Sequence, residues 1–308
     1  MPSGPVSTPD PAAAGVTGVL PTGNGRSGGA VPADRSTRAV ATEQSENFPV
    51  AMRVLPAALR ADLRAVYDVL RLIDDLGDEA DGDRTEQLQE LSAELAALWR
   101  GEPVRTPALV RLVPTVRARG LSEGPFQHLV QANLQDQVVS RYPDLAALVG
   151  YCDLSAAPVG RLVLELFGAS TPERVALSDR VCTGLQLVEH WQDVAEDHRA
   201  GRVYLPQDAL AAAGVPESDL DAATTSPRLA ALVLSQVAVA DGLLAAGPAL
   251  VRGLSGWARL AVAGYVAGGR ATVDALRRAG GDVLAGPPRP RRRDVVRHAA
   301  ALVIGARR

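Results

Sequence analysis

From Pro56 onward, apolar residues in this 308-residue chain recur at steps of three and four. In LPAALRADLRAVYDVLRLIDDLGDEA, Leu59, Leu63, Val66, Leu70 and Ile73 keep that step, which gathers them on one helix face. Similar patterns recur near 84–100, 107–118, 126–139, 144–168, 172–199, 227–252 and 255–285, and no alternating run is long enough for a sheet. Gly82, Gly101-Glu102-Pro103, Gly120, Tyr142-Pro143, Thr171-Pro172, Gly201 and Ser226-Pro227 punctuate them. The pattern predicts one all-α domain over residues 43–308, with about eight to ten helices.

Composition sets the limits of that domain. At 47% hydrophobic the chain can bury a sizeable core, and a net charge of −3 gives no overall pull toward nucleic acid. Residues 1–42 are mostly Pro, Gly, Ser, Thr and Ala. They hold too few large apolar side chains to offset the entropy of ordering, so a disordered tail is expected, without the apolar stretch of a secretory signal. Cys152 and Cys182 lie far apart and outside any CxxC spacing, which predicts neither a disulfide framework nor a zinc site and fits a reducing cytoplasm. The longest apolar segment, 229–240, is interrupted by Ser235 and Gln236 and falls short of the roughly 18 residues of a membrane span. A cytoplasmic protein is expected, at most peripheral on a membrane. GPPRPRRRDVVRHAAALVIGARR, at the C-terminus, reads as a last helix on the core with a solvated basic lead-in. Its arginines 289, 291, 292, 293 and 297 also suit contact with an anionic lipid surface, should the substrate be a lipid.

Two acidic stripes interrupt this apolar pattern. Tyr67, Arg71, Asp74 or Asp75, and Asp78 follow at helical steps, and Glu189, Asp193 and Asp197 do the same about 115 residues later. Either stripe alone is an ordinary solvated helix end. Two of them within apolar helices suggest facing walls of a carboxylate-lined cavity, a setting that needs a cation. Magnesium suits it, as a hard ion that takes carboxylate and phosphate oxygens and keeps some of its waters. His190 and His198 lack zinc-ligand spacing and read as ordinary polar positions. Within residues 43–308 no GxGxxG, P-loop or GxSxG is present, so nucleotide and acyl chemistry have no support there.

The segments SENFPVAMRVLP (45–56), YDVLRLIDDLGDE (67–79), QDQVVSRY (135–142), YCDLSAAPVGRLVL (151–164), GLQLVEHWQDVAEDHRAGRVYLP (184–206) and GGDVLAG (280–286) stand in a telling order. Together they resemble the squalene and phytoene synthase family of helical isoprenoid enzymes, in particular its bacterial hydroxysqualene synthase branch. The resemblance implies an isoprenoid synthase fold with a central cavity and about two or three magnesium ions held by two aspartate motifs. Asp74, Asp75 and Asp78 match the first motif. Asp193 and Asp197 match the second, with Glu189 one turn ahead. Arg71 matches a diphosphate-contacting arginine, and Arg202 and Tyr204 lie in the matching GRVYLP. Tyr151 matches the cavity-lining tyrosine of the YC motif. Phe48, Asp136 and Gln192 fall in segments that contact substrate.

The implied reaction turns presqualene diphosphate into hydroxysqualene with release of diphosphate, without NADPH or FAD. Hand-off to other squalene and hopanoid enzymes is also implied. Head-to-head condensation of two farnesyl diphosphates, to presqualene diphosphate, squalene or dehydrosqualene, is the alternative within the family, and a non-catalytic helical scaffold is the alternative outside it. Two positions depart from the family pattern, Glu189 and Ala157, where asparagine is usual. For Tyr151, Tyr204 and Phe48, simple core packing competes with a substrate role. Arg141 and Arg161 are open between diphosphate contacts and ion pairs.

Overall fold

A computed structural model describes residues 55–305 of the chain. The stretch 1–42 and Phe48 lie outside them. The first helices are α1 (Ala57–Asp78), α2 (Arg84–Trp99), α3 (Pro107–Arg119) and α4 (Gly124–Asp136). They are followed by α5 (Leu145–Ser155), α6 (Ala157–Leu166), α7 (Pro172–Gln192) and the short α8 (Val194–Arg199). Then come α9 (Gln207–Ala213), a 3-10 turn (Glu217–Asp221), α10 (Pro227–Leu244), α11 (Gly247–Arg252), α12 (Gly256–Arg278) and α13 (Arg292–Gly305).

Thirteen α-helices among the described residues exceed the expected number because three apolar runs are each broken. The run 144–168 breaks at Ala156, ahead of Pro158, whose ring cannot continue the preceding turn. The run 227–252 breaks before Gly247-Pro248. The third break, between α7 and α8, falls at Asp193 with φ −104° and ψ 17° and has no proline or glycine to announce it. Helix starts follow the sequence more closely. The side chains of Asp83, Asp144, Thr171 and Ser226 accept backbone N–H bonds from Glu86, Ala147, Arg174 and Leu229, satisfying donors that a helix start leaves open.

The apolar faces form two cores. In the first, Leu63, Val69 and Ile73 of α1 meet Leu88 and Leu95 of α2, Leu109 and Leu112 of α3, and Phe126 of α4. The second gathers α5 and α7 with the helices from α9 onward. Helix α6 is the seam: Leu162 and Leu166 enter the first core and Leu164 the second. Helix α7 is central to the second, packing on α5, α6, α10, α11 and α12. At Gly184 a Cβ would lie 3.1 Å from the Ala240 carbonyl oxygen, so a bare backbone lets α10 approach α7.

Two stretches, Leu145–Leu166 and Pro227–Arg252, prove long and apolar enough to cross a membrane, more than 229–240 alone suggested. Here each is two helices contributing Leu148, Cys152 and Leu164, or Leu229, Val233 and Val237, to the core. Both cysteines are free thiols, and burial raises Cys152 to about 12 and Cys182 to about 11.

Two loops are stitched beneath the site. Val203 N–H donates to the Ser140 carbonyl (2.8 Å) and Gln207 N–H to that of Tyr142 (3.0 Å), around a parallel bridge between Arg141 and Val203. Behind α12, Gly281 has φ +78°, and a Cβ there would run into the Ala230 carbonyl. Gly281→Ala is therefore expected to cost about 1–3 kcal/mol through backbone strain and that clash. The unfolding temperature should fall by roughly 2–12 °C. A melting curve superimposable on wild type would contradict this account of the turn.

Candidate active site

The C-terminal end of α1 carries the first acid stripe. Ile73 and Gly77 are buried toward α4, which turns Asp74 and Asp78 outward. A Cβ at Gly77 would overlap Asn133 of α4, so the glycine brings α4 alongside this stripe. Asn133 hydrogen-bonds the Asp74 carboxyl. Asp74 is open to solvent yet crowded. Desolvation first and the negative charge of Asp78 next raise its carboxyl to about 6, against the lowering effect of Asn133 and Arg71. Asp75 is turned to Arg71, whose Nε lies 2.8 Å from its carboxylate, and Glu79 lies 3.8 Å from the same guanidinium.

The second stripe straddles the helix break. Glu189 is in the last turn of α7, Gln192 is its final residue, Asp193 caps it, and Asp197 lies on α8. All four are half-buried. Asp197 N–H returns to the Asp193 carbonyl at 2.9 Å, holding the two aspartates on adjoining turns. One oxygen of Asp197, Oδ2, is buried with no hydrogen-bond partner among the described residues, and His190 Nδ1 stands 3.8 Å away.

Arg202 joins the two stripes. Its guanidinium lies 3.2 Å from Asp78 of α1. Burial opposes its charge, but Tyr204, Asp136 and Asp78 outweigh that and hold it above the usual arginine range. Beneath it stands an aromatic wall. Tyr204 stacks on His190 at 3.6 Å between ring centroids and on Tyr142 at 5.8 Å, and Tyr151 leans on Tyr142 at 5.4 Å. The Tyr151 hydroxyl donates to Asp136 at 2.7 Å. Burial raises the Asp136 carboxyl, partly offset by that bond, and burial likewise keeps the Tyr142, Tyr151 and Tyr204 hydroxyls protonated well above their ordinary range. Beside the wall lies a cavity of about 10 Å³ among His190, Asp197, Arg202 and Tyr204, close to the space one water needs.

Arg202, Asp78, Asp136, Tyr151 and Tyr204 converge. Arg141 and Arg161 are ion-paired, on Glu217 at 2.5 Å and on Asp179 at 2.8 Å. His198 is an ordinary polar position, 3.2 Å from Asp221. His190 is not: it is buried and part of the aromatic wall, so its reading as an ordinary polar residue is corrected. Tyr142 and Asn133 were not anticipated. Tyr142 lay in the matching QDQVVSRY but carried no acid pattern, and Asn133 is one of many polar residues on α4.

The acids do not close a cage. Among the described residues, no three His, Cys, Asp or Glu side chains come close enough to hold one ion. The orphaned Asp197 oxygen and the repulsion between Asp74 and Asp78 nonetheless fit a hard divalent cation that keeps waters and takes further oxygens from a ligand.

The charge on Asp74 works against the fold. Unfolded, this carboxyl titrates near 3.8; folded, at about 6. The folded state therefore binds the extra proton between those values, and its advantage fades as pH rises through about 6. Asp74→Asn, neutral throughout, should melt higher than wild type above that pH and gain little near pH 4. Added magnesium should raise the wild-type melting temperature more than that of the variant. Calorimetry across pH, with and without magnesium, checks both; a wild type that outlasts the variant at pH 7 without metal would contradict them.

Comparison with known proteins gives this geometry a context. A family model described as squalene/phytoene synthase matches residues 41–297. A protein of Rhodopseudomonas palustris named hydroxysqualene synthase is 40% identical over 192 residues, covering 61% of this chain and 64% of that protein, so the match spans less than two thirds of that relative. A presqualene diphosphate synthase of Zymomonas mobilis is 34% identical over 200 residues, 63% of this chain and 67% of that one. The crystal structure of squalene synthase HpnC from Alicyclobacillus acidocaldarius superposes with a TM-score of 0.73 at 35% identity, covering 80% of this chain and 93% of that one.

Proposed function

The chain belongs to the squalene/phytoene synthase family, and from that premise we propose that it ionises presqualene diphosphate and hands the resulting carbocation to water, giving hydroxysqualene and diphosphate. The observation that carries this reading is the Arg202–Asp78 pair, which sets a cationic group and an acid stripe directly over an aromatic wall. Asp74, Asp78, Asp193 and Asp197, with Glu189 adjoining, would hold magnesium together with its waters and diphosphate oxygens, and the ion would supply the Lewis acidity that makes diphosphate a leaving group.

The chain's own residues do the rest. Arg71 rests on Asp75 and Arg202 on Asp78, in pairs with both partners roughly a third exposed. Such pairs are worth about 0–1 kcal/mol, so both guanidiniums can turn to diphosphate oxygens at little cost. The carbon–oxygen bond breaks with its electron pair leaving on diphosphate, which these groups stabilise. The cation left behind would lie against the tyrosine wall of Tyr142, Tyr151 and Tyr204, whose rings favour positive charge. Asp136 fixes the Tyr151 ring through its hydroxyl, and the buried phenols supply no base that would take a proton early. Water then forms the new carbon–oxygen bond and its proton passes to the departing diphosphate. Hydration changes no oxidation state overall, so the reading needs neither NADPH nor FAD. The apolar substrate also suits a membrane-edge location, with the exposed arginines 291–293 and the outward Val296 and Ile304 of α13 toward lipid, and transfer to other enzymes of the same lipid pathway.

Condensation of two farnesyl diphosphates to presqualene diphosphate is the second reading, favoured by the likeness to the Zymomonas mobilis protein. Offering each substrate separately, with magnesium and no NADPH, distinguishes them. Presqualene diphosphate should give an alcohol and diphosphate, while farnesyl diphosphate alone should remain. Asp193→Ala should lower diphosphate release by roughly 10²–10³-fold with helicity intact. Accumulation of presqualene diphosphate from farnesyl diphosphate would replace the first reading with the second, and release from neither substrate would leave a non-catalytic scaffold.

A further inference from the structure

Away from the acid stripes, helices α11, α12 and α13 meet around a cavity of about 160 Å³. That is well above the roughly 10–15 Å³ one water needs. Its walls hold Arg252 at the end of α11, Arg270 of α12 and His298 of α13, with Pro248, Ala301 and Leu302 supplying apolar surface. No acid is among the described residues that line it. Arg270 donates through one terminal nitrogen to the Leu244 carbonyl at the end of α10, a long 3.4 Å bond. Its Nε is buried and finds no hydrogen-bond partner among the described residues. Burying a guanidinium N–H without an acceptor is unfavourable, and the edge formed by Nε and a terminal nitrogen is the one that grips a planar or tetrahedral oxyanion. The neighbouring acids are already engaged. Asp274 accepts from His298 and Arg297, and Asp294 lies against Arg278 and Arg297.

We propose that this junction is an anion site, separate from the diphosphate site, for a phosphate group that carries an apolar substituent. The guanidiniums of Arg270 and Arg252 hold the phosphate oxygens, and Pro248, Ala301 and Leu302 receive the substituent. A phospholipid headgroup and a soluble phosphate ester both present this chemistry. The site draws on none of the residues assigned to the reaction, so its test does not depend on turnover.

Calorimetric titration of inorganic phosphate into the full chain, without added magnesium, reads the anion directly. Flotation with phosphatidylglycerol against phosphatidylcholine vesicles reads the lipid source. Arg252 is exposed, so Arg252→Ala is expected to fold normally, and an unchanged melting temperature verifies it. Arg202→Ala serves as the control that removes a guanidinium from the diphosphate site. Phosphate should bind wild type and Arg202→Ala alike, and Arg252→Ala at least tenfold more weakly. Flotation with phosphatidylglycerol that depends on Arg252 assigns the headgroup, whereas phosphate binding without such flotation assigns the soluble ester. Binding that follows Arg202 instead of Arg252, or that is insensitive to Arg252 in both assays, overturns the proposal.

Discussion

The contact on which the site depends is the ion pair of Arg202 with Asp78, made across 124 positions of sequence. It fastens the loop after α8 to the last turn of α1, and so relates the second acid stripe to the first. Its contribution to stability is small, because both partners retain solvent and exposed pairs count for little. Its value is positional. The loop itself is held by backbone bonds, Val203 to Ser140 and Gln207 to Tyr142, which leave the guanidinium free to exchange one anion for another. A strong buried pair in its place would resist that exchange. The surroundings reinforce this arrangement: desolvation by crowding neighbours and the charge of Asp78 push the Asp74 carboxyl up to about 6. A chain selected for stability alone would relieve that repulsion with an amide. Keeping two carboxylates there is intelligible when a cation or a cation-bearing ligand completes the site.

Much of the fold was legible because the apolar period is strong. The face of α1 built on Leu59, Leu63, Val66 and Ile73 is buried as its spacing predicts, and the capping residues Thr171 and Ser226 stand where their chemistry places them. The breaks at Pro158 and Gly247-Pro248 are written in the sequence as well, although apolar period alone runs through them. The break at Asp193 is of another kind. No proline or glycine marks it, and beyond it α8 packs against the 3-10 turn at Glu217–Asp221. A period of apolar residues records which face is inside, and it is silent about where a helix bends to meet a distant loop.

The site divides in the same way. Asp74, Asp78, Asp193 and Asp197 announce themselves by charge within apolar helices, a conflict that sequence displays directly. Tyr151, Tyr204 and Arg202 came from family likeness, since an isolated aromatic or arginine carries no such conflict. His190 and Tyr142 were missed because their role is made by neighbours. His190 matters for lying face to face with Tyr204, and Tyr142 for packing against both Tyr204 and Tyr151, relations among residues from separate segments of the chain.

The two departures from the family pattern, Glu189 and Ala157, take their meaning from where they sit. Glu189 is half-buried in the last turn of α7, where the helix dipole is already negative and Asp193 follows one turn on. A carboxylate there deepens the demand for positive charge that the rest of the stripe creates, so it strengthens the case for a cation rather than weakening it. Ala157 opens α6, is fully buried and brings no polar side-chain atom. An asparagine at that position would need partners for its amide, and alanine leaves that part of the interior dry. The polar space bordering the aromatic wall lies instead among His190, Asp197 and Arg202, where one carboxylate oxygen is still without a hydrogen bond among the described residues. In the proposed hydration, water would find its hydrogen-bonding groups on the side of the second acid stripe, and alanine at position 157 is compatible with that proposal.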